Sequence, residues 1–94
     1  MVIVAGKLTI RSNQREAFLA ASQAAMKQAR QTAGCQEFVV AADPLEPNRV
    51  NVFELWDSEK ALQAFRGAGP GDELGSLIQH AEVKQFEVRG SSPV

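Results

Sequence analysis

"NVFELW", residues 51–56, is the stretch on which the fold turns. A strand with one wet face alternates apolar and polar side chains. Extended back to Arg49, this one does not. Val50, Val52, Glu54 and Trp56 share one face by the two-residue repeat, while Arg49, Asn51, Phe53 and Leu55 share the other. Large apolar side chains stand on both faces, so both need a cover. One face also sets a carboxylate two residues before the only tryptophan of the chain.

Working outward, Cys35–Ala42 is a second β-rich run. "DPLEPN" (43–48) separates the two runs, and its prolines break both helix and ladder, so they read as an antiparallel hairpin with a long loop. Val2–Ile10 is rich in β-branched residues and reads as the first strand, with Gly6 marking a bend or a close backbone approach. Asn13 is expected to cap a helix, with Glu16 returning the hydrogen bond. Phe18, Ser22, Ala25, Met26, Ala29 and Ala33 then recur at near-helical spacing, with no Gly or Pro before Gly34. That spacing predicts a helix over 13–32, stopped by a left-handed glycine.

Downstream of Trp56, Asp57 or Ser58 is expected to cap a short helix whose apolar positions are Ala61, Leu62 and Phe65. "GAGPG" (67–71) is a break and a candidate hinge or lid. Leu74, Leu77 and Ile78 predict another short helix over Asp72–His80, and Val83–Arg89 alternates as the last strand. The order β-α-β-β-α-β is the split βαβ pattern of a ferredoxin-like α+β sandwich, a four-stranded antiparallel sheet with its helices on one face. Residues 1–90 form a single domain in this reading, and 91–94 a disordered tail.

Helices on one face leave the other bare, and here that face is apolar. Soluble monomers generally avoid such a patch. Either the C-terminal segment covers it or a second copy packs sheet on sheet about a two-fold axis; the homodimer is the expectation.

The totals exclude several classes. A chain of 94 residues is one domain and buries about 60–65% of its unfolded surface. A net charge of −1 with no basic stripe gives no footprint for nucleic acid. No apolar run approaches the ~18–20 residues a membrane span needs. The N-terminal residues lack the basic start and long apolar core of a secretory signal. Cys35 is the single cysteine and cannot form an intrachain disulfide, which fits a reducing cytoplasm. There is no GxGxxG after the first strand and no GxxxxGK[ST], so no phosphate cradle for a dinucleotide or nucleoside triphosphate is present.

Few residues can carry chemistry. Trp56 ends a strand before a capped helix, where an indole is either core, with its N–H on a nearby carbonyl, or a platform for a ligand. Glu54 shares its face with Val50, Val52 and Trp56 and should be partly buried. It is then either ion-paired to Arg66 or Arg49, or a general base whose acidity is tuned by desolvation. His80 reads as a helix-end residue favoured there by the dipole, and with no ligand set beside it as a poor metal site. Cys35 has no basic neighbour in sequence and reads as an inert thiol rather than a nucleophile.

"GCQEFVV" (34–40) followed by "DPLEPNRVNVFELWDSEKALQAF" (43–65) resembles the antibiotic biosynthesis monooxygenase-like family over about residues 2–89. The resemblance implies a ferredoxin-like protomer, a dimeric α+β barrel and a pocket between sheet and helices. It implies oxidation of a quinol-like aromatic with O2 and no metal or flavin; other members degrade haem, and one branch processes a quorum-sensing signal. Carried over by position, Trp56 matches the pocket tryptophan and Glu54 the acid of E-x-W. Phe38 stands where a tyrosine is frequent and Phe65 where a histidine is usual. A haem-ligating or basic histidine is thus absent there, and quinol oxidation would rest on Glu54, Arg66 or a water. The expected site joins Glu54 as proton acceptor, Arg66 as anion-stabilising donor, and Trp56, Phe38, Phe65 and Phe86 as aromatic walls. The second expectation is a non-catalytic dimeric barrel that binds a small hydrophobic ligand.

Overall fold

The computed structural model describes residues 1–67 and 74–94. Its elements are β1 (Val2–Ile10), α1 (Arg15–Arg30), β2 (Cys35–Ala42), β3 (Arg49–Trp56), α2 (Glu59–Gly67), one 3-10 turn (Gly75–Leu77) and β4 (Ile78–Glu87). The strands form one four-stranded antiparallel sheet in the order β2-β3-β1-β4, the ferredoxin-like arrangement. The two central strands are β1 and β3, and β1 is the most β-branched run of the chain.

Register decides which side chains meet. Val4 lies opposite Glu54 and Glu54 opposite Phe38, while Val2 lies opposite Trp56. These residues share the helix side of the sheet. There all but Glu54 join Ala29, Leu62 and Phe65 in one apolar cluster. A second cluster of Leu8, Ile10, Phe18 and Val50 fills the other end. Helix α1 buries Phe18, Ser22 and Ala29, and the Ser22 hydroxyl is satisfied by donating to the Phe18 carbonyl at 2.8 Å.

Three local expectations are corrected. Asn13 does not cap α1: it adopts φ +64° in the turn that closes Gln14 N–H onto the Arg11 carbonyl, and the helix starts after Gln14. An asparagine spent on that left-handed turn is not in the extended conformation a cap requires. At the other end α1 stops at Arg30, ahead of Gly34, whose φ of +89° turns the chain into β2. Of the helix expected over Asp72–His80, the described residues 74–80 hold only the 3-10 turn, and β4 begins at Ile78 rather than Val83. Leu74, Leu77 and Ile78 still reach the second cluster, because one tight turn running into a strand satisfies their spacing. Ile78 and His80 instead pair with Ile10 and Thr9, so β1 is matched to its end. Ser58 does cap α2, its hydroxyl accepting from the Ala61 N–H at 3.2 Å. The 67–71 break falls outside the described residues beyond Gly67.

The opposite side of the sheet carries no helix among the described residues. Ile3, Leu55, Phe53, Val39 and Phe86 lie together on it, with Phe53 39% and Phe86 49% exposed. From Gly90 the chain has no regular structure and is itself exposed, and it does not cover these rings.

Candidate functional site

Strand β3 sets Glu54 and Trp56 side by side on the helix face. Trp56 is fully buried and Glu54 is 9% exposed. The indole Nε1–H donates to Glu54 Oε1 at 2.9 Å. Helix α2 lays Phe65 over them, its ring 5.4 Å from Trp56 and 5.6 Å from Phe38 in an edge-on contact. Phe38, Phe65 and Trp56 thus form one aromatic box beside Glu54, the one buried acid among the described residues.

Burial pushes the Glu54 carboxyl above its ordinary range; the Trp56 hydrogen bond and then the charge of Arg66 pull it partly back. Arg66 is exposed in the last turn of α2, so it acts on Glu54 through its field. Among the described residues, only Oε1 of Glu54 has a hydrogen-bond partner. Among the described residues no fully enclosed side-chain oxygen or nitrogen lacks one. Oε2 therefore faces what access the site has. An acceptor with free lone pairs in apolar surroundings is the part a general base needs.

The structure brings together Glu54, Trp56, Phe38 and Phe65, with Arg66 at the rim, and separates Phe86 from them. Phe86 lies opposite Ile3, on the helix-free side, because strand alternation turns it away. The same alternation removes Arg49 as an ion-pair partner of Glu54. Its guanidinium instead meets Asn51 Oδ1 at 2.7 Å and Glu46 Oε2 at 2.9 Å. His80 is not at a helix end but on β4, exposed, with Nε2 3.2 Å from Glu82 Oε1. Cys35 is half-buried, and burial followed by the charge of Glu54 pushes its thiol up, against nucleophilic use. Among the described residues no cluster of three or more His, Cys, Asp or Glu is placed to hold a metal ion.

Sequence reading missed the polar knot that closes the β2–β3 loop. Asp43 Oδ2 accepts from the backbone N–H groups of Leu45 and Glu46 at 3.0 and 2.9 Å, and Oδ1 from Asn51 at 2.9 Å. Arg15 of α1 donates to the carbonyls of Asp43, Glu46 and Arg49. The available signal was Asp43 itself, since an aspartate opening a turn commonly bonds the backbone two residues on. These bonds, with the charge of Arg49 adding to them, hold its carboxyl down at about 2. A carboxylate held below its unfolded value of 3.8 stabilises the fold above that value, and the stabilisation is lost as pH falls toward about 2. Asp43→Ala is therefore expected to lower Tm at pH 7, and its gap from wild type to narrow as pH falls from 3.8 through about 2. Parallel melts across pH check this; a gap that stays constant with pH would refute it.

Of the clefts lined by described residues, one reaches Val2 and Asp57 beside Trp56, and others lie away from the aromatic box. The first, of about 490 Å³, sits beside Met1, Val2, Asp57, Ser58 and Arg89, and one of about 230 Å³ sits beside Lys7, Thr9 and Pro47.

Comparison with known proteins agrees with this geometry. The profile of the antibiotic biosynthesis monooxygenase family matches residues 1–70. Over 61 residues the chain is 31% identical to an uncharacterised protein of Synechocystis, a stretch that is 65% of this chain and 42% of that protein. The chain thus spans less than half of that relative. A structure from Deinococcus radiodurans, described as a candidate antibiotic biosynthesis monooxygenase, superposes with a TM-score of 0.87 at 23% identity, covering 100% of this chain and 98% of that one. One from Nitrosomonas europaea with the same description gives 0.84 at 14% identity, covering 96% and 100%. Identities this low are a likeness of fold.

Proposed function

From its membership of the antibiotic biosynthesis monooxygenase family, we propose that the chain oxidises a small, quinol-like aromatic with O2, without a cofactor, at Glu54. The observation that carries this reading is the Glu54 carboxylate: desolvated, held through Oε1, and with no described partner at Oε2. Oε2 takes the proton of a bound hydroxyl, and the electron-rich anion itself reduces O2. One oxygen atom enters the ring and the other leaves as water, with all four electrons drawn from the substrate. Phe38 and Phe65 supply the apolar wall, and the charge of Arg66 stabilises the developing anion. Oxygen uptake with a panel of hydroquinones tests the reading. Uptake above the spontaneous rate, matched one-to-one by oxygenated product, is expected. Background uptake across the panel overturns it.

A second reading, a barrel that binds a small hydrophobic ligand without turning it over, draws on Phe65. Its ring packs on Phe38 and Trp56, with carbon where the sequence resemblance leads one to expect a histidine. Quenching of Trp56 emission by aromatics that support no oxygen uptake would favour it.

The working form in this proposal is a homodimer in the cytoplasm. What supports the dimer is the apolar patch of Ile3, Val39, Phe53, Leu55 and Phe86 on the helix-free side, two of whose rings remain exposed. Light scattering at micromolar concentration should give twice the 10.2 kDa chain mass. Phe53→Glu sets a charge in the middle of the patch and should return the mass to one chain. A wild-type mass of one chain would remove the dimer. The lone Cys35 agrees with a reducing compartment, and no helix among the described residues is long and apolar enough to cross a membrane.

A further inference from the structure

We propose that Trp56 is a positioning residue for Glu54, not a wall on which the substrate stacks. The inference rests on the proposed base role of Glu54. A ring with no exposed surface offers no face to a ligand, and Trp56 has none. Its indole is pinned by Phe65 at 5.4 Å, by Leu62 from the same helix, and by Val2 across the ladder. Its one polar atom is committed to Glu54 Oε1 at 2.9 Å. A rigid donor on one carboxylate oxygen sets the plane of the carboxylate, and so the direction in which Oε2 presents its lone pairs.

Arg66 faces the pair from α2, Cys35 from β2, and the charge of Arg30 on α1 reaches Cys35. Val4 on β1 and Gln85 beyond it on β4 do not titrate. The Cys35 thiol is pushed above its ordinary 9.0 and stays protonated through the acid range. His80 stands on the opposite side of the sheet. Asp57 follows Trp56 directly and Glu87 on β4 lies opposite Val2, so the Glu54→Gln comparison is what assigns an acid-range change in Trp56 emission to Glu54.

Two measurements test the proposal on the full chain. Wild-type tryptophan emission should show one transition above the ordinary glutamate range, and Glu54→Gln should abolish it. In Trp56→Phe, loss of the donor removes a bond that favours the ionised form, so the acid limb of kcat/KM should move to higher pH, with KM within about twofold of wild type. A substrate-stacking role gives the opposite split, a raised KM with the limb unmoved, and would overturn the proposal. A flat wild-type emission trace would overturn it too, and needs no variant that folds poorly. If no quinol supports turnover, the proposed oxidation falls, while a transition lost in Glu54→Gln still supports the pairing.

Discussion

Glu54→Gln is expected to cut turnover of any hydroquinone the protein oxidises by about 10²–10⁴-fold, the usual worth of a positioned base, and to raise stability at neutral pH. The two effects have one cause. Glutamine keeps the shape and still offers Oε1 to the Trp56 indole, but it removes both the proton acceptor and the desolvated charge. Because burial raises the folded-state pKa, the native state binds the proton more readily than the unfolded chain. Wild-type stability from this group is therefore whole below the ordinary 4.5 and falls as pH rises through the raised value. The melting advantage of the variant should be present at pH 7 and vanish below about 4.5. Paired melts and oxygen uptake read both. A variant as active as wild type removes Glu54 as base; one less stable at pH 7 contradicts the desolvation.

Gly6→Ala should be the most damaging conservative change in the sheet. A Cβ at Gly6 would overlap the Glu82 carbonyl oxygen and stand 2.7 Å from Val83 Cα. Both obstacles are backbone of β4, which is paired with β1 along its length and cannot yield as a side-chain tip can. Either the β1–β4 ladder opens or the sheet bends, at a cost of about 3 kcal/mol. For a domain of this size that is a fall in Tm of roughly 12–24 °C. Gly75→Ala is the matched control, since a Cβ there meets nothing within 4 Å. Its effect should stay within about 0.5 kcal/mol. Equal melting temperatures for the two variants would show that β4 does not approach β1 at Gly6.

Much of this was legible along the chain. Strand alternation in Arg49–Trp56 placed Glu54 and Trp56 together and exposed the second apolar face, and the bounds of β1, β2 and β3 agree with the reading. Ser58 was legible as a cap because the rule is local. Asn13 misled because two local rules, cap and left-handed turn, compete for the same residue type. Leu74, Leu77 and Ile78 misled because a short apolar triplet fits one turn and a strand as well as a helix.

By itself, then, the order of residues determined the elements, their succession and the neighbours along each strand, because those follow from periodicity and short-range sterics. Only the tertiary structure decided that Phe65 closes over Trp56, that Phe86 faces away, that Arg49 serves the loop and not Glu54, and that the tryptophan donates to that acid. Each of those depends on the register between distant strands or on where a helix lands. One residue of register carries a side chain to the other face of the sheet, and no local rule sets that count.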